Sequence, residues 1–512
     1  MLSSNVNTSR HKQLPAGTDR HQQNLIQHGS QQRTRRRASA PRPSLAAEQS
    51  SAQPAAQEVN QERGMPFLMG PAFYRLESGL SRDLSTLAAA VHKRRTGSLK
   101  VLDLMAGSGI RSARYLKQAG AQYVWCNDFD PRLQETQVMN LLCPDLEATG
   151  QNSHIEARTL LSKAQILRPG GLSRDVWHWE QEGEGSIVRV SQVDATRILT
   201  ACFLNEDFYD VIDIDSFGSD SRFIGSSLDA VKHDGLLYLT STDGFSAGGH
   251  RPARSLAAYG AFVRAGLPSS NENGLRMLIG VAVREGAVRG LRVTPVFSLY
   301  SFHGPVFRTM LRVTRSSQWP HKEYGFIGYC HVHGQTSKVP WKELSGAVCT
   351  CCGLSKKGKP LSLSGPIWTG PLHDRDEVQS IADEAAARGW QGYSFDDESS
   401  QSSQNKAREL RSKKNGPQRL EDVLQIMLGE ADERLRPGFI NMEHLGKHLL
   451  SYPPRDVLIA ELRAKGFAAS RSHLETKAFR TSATLQEVIA VCIGLGLKLR
   501  ESSDVCKSIL AP

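Results

Sequence analysis

An α/β fold, with a parallel sheet covered by helices on both faces, is what this 512-residue sequence predicts. Three observations carry the prediction. Residues Val101 to Asp128, VLDLMAGSGIRSARYLKQAGAQYVWCND, read as an apolar strand, a turn of small residues, a helix, a second strand and a terminal carboxylate. From Leu99 to about Arg315 short apolar strands keep alternating with helical segments. A third apolar strand, in DVIDID from Asp210, again ends in an acid, Asp215.

Taken from the start, residues 1–64 carry eight Lys or Arg before Ala46 against the single acid Asp19, with few large apolar side chains. Such a segment should not fold by itself. Its basic, hydroxyl-containing composition fits a plastid or mitochondrial transit peptide, and Arg33 to Arg37, RTRRR, fits a nuclear import signal equally well. No apolar run approaches the length of a membrane span. The formal charge of +11 suits a polyanionic partner.

The strand candidates that follow are VLDL from Val101, YVWCND from Tyr123, VIDID from Val211, LLYLTST from Leu236, and a pair around Val293 and Leu311. Residues 150–185 read as an insertion or long loop. In the turn AGSG, Gly107 and Gly109 let backbone amides approach a ligand that a Cβ would hold away, and Asp128 ends a second strand where a ribose would sit. Ser112 occupies the place of a dinucleotide fingerprint's third glycine, which favours S-adenosylmethionine over a nicotinamide cofactor. At the second acid, Asp215 is followed by Ser216, Phe217 and Gly218. An acceptor beside an aromatic suits methylation of an exocyclic amine: Asp215 takes the amine's hydrogens while Phe217 offers a stacking face for an extruded base.

Nine cysteines are scattered along the chain, four of them between Cys330 and Cys352. Cys330 and His333, then Cys349 and Cys352, form two short-spaced pairs able to close a tetrahedron about a structural zinc, with His331 and Cys351 as competing ligands. Polar residues from Ser394 lead into a basic cluster ending at Arg419, read as a linker over 394–419. Beyond it LEDVLQIMLGEADERL and RDVLIAELRAK have helical spacing, which fits a small helical or winged-helix-like domain. Lys406 to Arg419 with Arg471, His473, Lys477 and Arg480 are expected to neutralise phosphates, and Phe479 to stack or to pack.

The two acid-terminated segments, about 110 residues apart, resemble those of the Trm1-type tRNA guanine dimethyltransferases. So do FYRLESGLSRDLS from Phe73, TSTDGFSAGG from Thr240, AAYGAF from Ala257, ENGLRMLIG from Glu272, GPIWTGPLHD from Gly365 and GFAASRSHLETKAFRTSA from Gly466. The resemblance implies a Rossmann-like class I S-adenosylmethionine-dependent methyltransferase domain over 65–318. A smaller C-terminal α+β domain follows, with its zinc part at 319–393 and its tRNA-binding part at 420–512. It also implies that Arg82 and Arg111 contact the cofactor, that Asp128 holds the ribose, that Asp194 and Ala195 border the adenine, and that Asp215 is the catalytic acid. The implied activity is dimethylation of the guanine amine at tRNA position 26.

Three departures stand out. Arg75 and Ser81 replace family asparagines, and Ser216 replaces the proline after the catalytic aspartate, removing a restraint on φ. The residues leave two other readings open: a methyltransferase acting on a DNA or protein amine, and a tRNA-binding protein or RNA chaperone whose turnover is weakened through Ser216.

Overall fold

The computed structural model describes residues 59–149, 152–172, 174–181, 185–301, 304–316, 318–349, 360–394 and 418–500. The basic N-terminal segment to residue 58, and Lys406 with the rest of 395–417, lie outside the described residues.

A hairpin of β1 (Val59–Glu62) and β2 (Met65–Leu68) leads into the helix Gly79–Thr96. The central sheet is built from β3 (Lys100–Asp103), β4 (Tyr123–Asn127), β5 (Gln165–Leu167), β6 (Val176–Gln181), β7 (Ser186–Ser191), β8 (Tyr209–Asp215), β9 (Val231–Ser241), β10 (Leu291–Ser301) and β11 (Val306–Arg315). Their spatial order is β10-β11-β9-β8-β3-β4-β7-β6-β5. The middle five, β9 to β7 in that order, are parallel as the sequence predicts.

The outer strands are antiparallel, so the sheet is mixed rather than wholly parallel. The cause is connection length: the few residues joining β10 to β11, or β6 to β7, allow a hairpin but no crossover. The stretch read as a loop, 150–185, supplies the helix Ser153–Ser162 and then β5 and β6, which extend one edge of the sheet.

Strand side chains alternate between two cores. Leu102, Ile212, Ile214, Leu237 and Leu239 face the helices Ala195–Leu204, Ser221–Ala230 and Ser270–Val288. Val101, Val124, Val211, Leu236 and Tyr238 face the helices Gly79–Thr96, Ile110–Lys117, Gln134–Leu142, Arg375–Ala387 and Leu420–Glu430. The sheet is thus wrapped on both faces, and helices from the C-terminal third complete its second covering layer.

A second sheet, β12 (Tyr324–Cys330), β13 (Gln335–Val339) and β14 (Ser362–Trp368), is antiparallel in the order β13-β12-β14. Ile327, Ile367 and Trp368 join the first core. The C-terminal helices appear where the apolar spacing predicts them, at Leu420–Glu430 and Arg455–Ala464. They are accompanied by a small sheet of β15 (Ile440–Asn441), β16 (Ala469–Arg471) and β17 (Ala478–Thr481) and by the helix Leu485–Gly494. Phe479 lies fully inside this last core, so it packs and does not stack.

No described helix is long and apolar enough to cross a membrane.

Candidate active site at the switch point of the sheet

After β3 the chain runs outward to β4 and β7, then returns to place β8 on the other side of β3. Ligands in open α/β sheets bind at the carboxyl ends of strands flanking such a reversal. A cavity of about 810 Å³ opens there, lined among others by Gly107, Asp128, Asp194 and Asp215. The two acid-terminated segments therefore meet on one side of the sheet, and the space between them is open.

Gly107 and Gly109 both have φ in the left-handed region, +56° and +82°. A Cβ on Gly107 would meet nothing closer than Ala72 at 3.9 Å and would project into the cavity, whereas one on Gly109 would press on Cys126 Sγ at 3.3 Å. The first glycine thus keeps ligand space open and the second lets the helix Ile110–Lys117 start against β4. The Gly107 amide donates to Asp128 Oδ2 at 2.9 Å, and Asp130 N donates to Oδ1 at 3.0 Å, which fixes the acid at the end of β4. Asp194 caps the helix Ala195–Leu204 by accepting from Thr196 N at 3.0 Å, and Ala195 follows it in the cavity wall.

Beneath the cavity runs a buried polar network. Arg111 donates through Nη1 to Asp213 at 2.7 Å and through Nη2 to Asp215 at 2.8 Å. Tyr115 donates to the other oxygen of Asp213 at 2.7 Å, and Ser112 to Asp103 at 2.7 Å. Burial, reinforced by Asp213, pushes the Asp103 carboxyl up to about 8. Arg82 also lines the cavity, but its Nε and Nη2 are taken by Glu62 and by the Arg75 carbonyl. Burial alone would raise Glu62, yet the Arg82 and Arg114 guanidiniums bring it down to about 2.

Ser216 donates a hydrogen bond to Asp220, whose carboxyl is raised well above its ordinary value by burial. At the mouth Phe217 is 81% exposed and meets Phe73, 66% exposed, edge to face with centroids 5.8 Å apart. The sequence reading meets Phe73 only as the start of a family motif and does not single out the exposed Phe129, although both line the cavity. The signals that pointed there are the motif beginning at Phe73 and the adjacency of Phe129 to Asp128.

The family described as N2,N2-dimethylguanosine tRNA methyltransferase matches residues 55–167 and 178–493. The chain belongs to that family. Among its relatives, the tRNA (guanine(26)-N(2))-dimethyltransferase of Thermococcus kodakarensis is 28% identical over 429 residues, 82% of this chain and 93% of the relative. That of Archaeoglobus fulgidus is 26% identical over 438 residues, covering 85% and 98%. A solved complex of Trm1 from Pyrococcus horikoshii with S-adenosyl-L-methionine shares the fold, with a TM-score of 0.62 and 22% identity over 85% of this chain and 99% of that one.

Several dimethyltransferase-family motifs lie away from the cavity and converge on one buried junction. Glu272, from ENGLRM, accepts from Arg276 Nε at 2.8 Å and from the Gly438 amide at 2.7 Å, and Arg276 Nη1 donates to the carbonyls of Trp368 and Gly370. Glu430 lies against His373, His473 and Arg480. His473 and Arg480 are therefore core residues and do not neutralise phosphates: isolated buried charge is too costly, and both are held by acids. Arg471 is paired with Asp456 and Lys477 with Glu443, so neither is an unengaged basic side chain.

The described part of the cysteine cluster fits a zinc shell. Cys330 Sγ and Cys349 Sγ lie 3.3 and 3.6 Å from His333 Nδ1, and all three residues are buried. Tetrahedral zinc with Cys and His ligands separates ligand atoms by about 3.5 Å. Cys351 and Cys352 lie outside the described residues. His331 is turned away, its Nε2 2.8 Å from Ser362 Oγ.

Proposed function

We propose that this chain is an S-adenosylmethionine-dependent tRNA (guanine(26)-N(2))-dimethyltransferase. The observation that carries the reading is the meeting of Asp215 with the Gly107 turn across one open cavity, rimmed by exposed Phe73 and Phe217. S-adenosylmethionine would supply the electrophilic methyl group. Gly107, Gly109 and Asp128 are suited to its adenosine, Asp194 and Ala195 to the edge of the adenine, and Arg82 and Arg111 to its charged end.

Asp215 accepts the hydrogens of the guanine amine and turns the nitrogen lone pair toward the cofactor. Its carboxylate is aimed by Arg111, which Asp213 holds from behind. Phe217 and Phe73 supply faces for the extruded base. As the amine gains its methyl it sheds a proton, for which Asp215 is the adjacent base. A second transfer needs a fresh S-adenosylmethionine in place of the spent S-adenosylhomocysteine, and rotation of the monomethylated amine against the same carboxylate.

Cys330, His333, Cys349 and Cys352 would hold a structural zinc, and residues beyond 419 would serve tRNA placement. The segment 1–64 is read as an organellar address, with nuclear import as the other outcome of a localisation assay. The decisive experiment incubates purified protein with labelled S-adenosylmethionine and unmodified tRNA transcripts, then identifies the methylated nucleoside. Labelled dimethylguanosine at position 26 supports the proposal. Label only in DNA or protein, or tight tRNA binding without label, rejects it.

A further inference from the structure

A buried positive charge with no carboxylate at ion-pair distance among the described residues faces the cavity. Arg308, on β11, is 3% exposed and contributes to the cavity wall. The other buried arginines among the described residues, Arg63, Arg82, Arg111, Arg114, Arg276 and Arg480, each stand against a carboxylate. Arg308 has only hydroxyls: Nη1 donates to Ser301 Oγ at 2.7 Å and Nη2 to Ser78 Oγ at 3.3 Å, while Nε has no partner among the described residues. Burial, with the nearby charges of Arg111 and Arg82, lowers its pKa from the ordinary arginine value against the partial pull of Tyr238 and Asp215.

Its position is specific. Asp215 pairs with Thr240, and Thr240 with Arg308, so the three side chains leave the same face of the sheet in one row. The ends of the row are two strand spacings apart, about 10 Å. The Thr240 hydroxyl is likewise buried and has no partner among the described residues. Ser78, which also lines the cavity, precedes the 18-residue helix Gly79–Thr96 and makes no side-chain cap bond to it.

We propose that Arg308, with Ser78 beside it, is the oxyanion receiver of this cavity, taking a carboxylate or phosphate that the ligands bring in. The assignment rests on the methyltransferase reading above. Its chemistry has two sources there: the methionine carboxylate of the cofactor and a backbone phosphate beside the extruded guanosine. A guanidinium fork serves either one through paired charge-assisted bonds. Arg82 and Arg111, each already paired with a carboxylate, would share the cofactor's charged end with it.

The test measures dissociation constants of the full chain for S-adenosylhomocysteine, for 5′-methylthioadenosine, which lacks the amino-carboxylate, and for an unmodified tRNA transcript. Arg308→Met is expected to leave the ligand-free protein no less stable. It should weaken one oxyanion-bearing ligand roughly ten- to hundredfold, the weight of a charge-assisted hydrogen bond. Collapse of the homocysteine-to-thioadenosine affinity ratio identifies the carboxylate. An unchanged ratio with weakened tRNA binding and a shallower salt dependence identifies the phosphate. If Arg308→Met does not fold, the ratios are read on Arg308→Gln. Failure of both to fold, or a folded variant with both affinities intact, overturns the assignment. A wild-type protein that binds none of these ligands instead sinks the underlying methyltransferase reading.

Discussion

Arg111 holds Asp215 through a 2.8 Å bond from Nη2 to Oδ2 while its other nitrogen is fixed on Asp213, so the orientation of the cavity acid is set from the floor of the sheet. Asp215→Asn keeps the shape but gives up the charge that holds Arg111 and the capacity to take a proton. The expected result is a fall in kcat of roughly 10²- to 10⁴-fold with tRNA affinity within a few-fold. Single-turnover kinetics alongside filter binding check this, and an equal loss of both would assign Asp215 a folding role.

The aromatic pair at the mouth should affect substrate capture and not stability. Phe73 and Phe217 bury little, so replacing either with Ala removes a stacking face worth about 1–3 kcal/mol per base. A five- to roughly hundredfold loss in kcat/KM for tRNA is expected, with the melting temperature unchanged. Variants that melt early without a kinetic defect would mean that the two rings serve packing.

Ser216 is tied to its surroundings. Restoring the family's proline removes the hydroxyl that satisfies the buried Asp220, whose Oδ2 already has no partner among the described residues. Ser216→Pro should therefore cost roughly 1–3 kcal/mol, and adding Asp220→Ala should recover most of it. Urea unfolding of the two single variants and the double closes the cycle, and additive effects would deny the coupling.

The parts of this site that lie close in sequence were legible, and those made by long-range register were not. Gly107, Asp128 and Asp215 announce themselves because strand ends and turn glycines are local patterns. Arg308 carries no such mark: its meaning comes from lying opposite Thr240, 68 positions earlier, once β9 and β11 pair. His473 and Arg480 misled for a related reason. Charged residues are usually exposed, and the acids that allow these two inside, Glu430 and Glu272, are 43 and 208 residues away. The antiparallel edge made by β5 and β6 was hidden because residues 150–185 look like loop until β6 finds β7 to pair with.

Metal content tests the cysteine cluster directly. The purified protein is expected to carry one zinc per chain, and Cys349→Ser, which removes a buried ligand 3.6 Å from His333 Nδ1, should release it and lower the melting temperature. Elemental analysis that finds equal zinc in the variant would reject the ligand set. Cys352→Ser tests the fourth ligand in the same assay.

Acid should loosen the buried junction around His373 and Glu430. Burial drives His373 down from its ordinary 6.5 to about 4, against the pull of Glu430, whose own carboxyl His473, His373 and Arg480 hold well below normal despite burial. Between pH 6.5 and 4 the unfolded chain binds a proton at this histidine and the folded one does not, so stability rises with pH across that window. The contribution is complete above about 6.5 and lost on descent toward 4, on the order of 3 kcal/mol for His373 alone. Glu430 adds to the loss below its unfolded value of 4.5, with the same sign. Wild type should therefore lose urea stability relative to His373→Gln, which cannot titrate there, as pH falls from 7 to 4.5, while the raised carboxyls of Asp103 and Asp220, which act with the opposite sign, contribute alike to both proteins. Parallel slopes for the two proteins would place the acid sensitivity elsewhere in the chain.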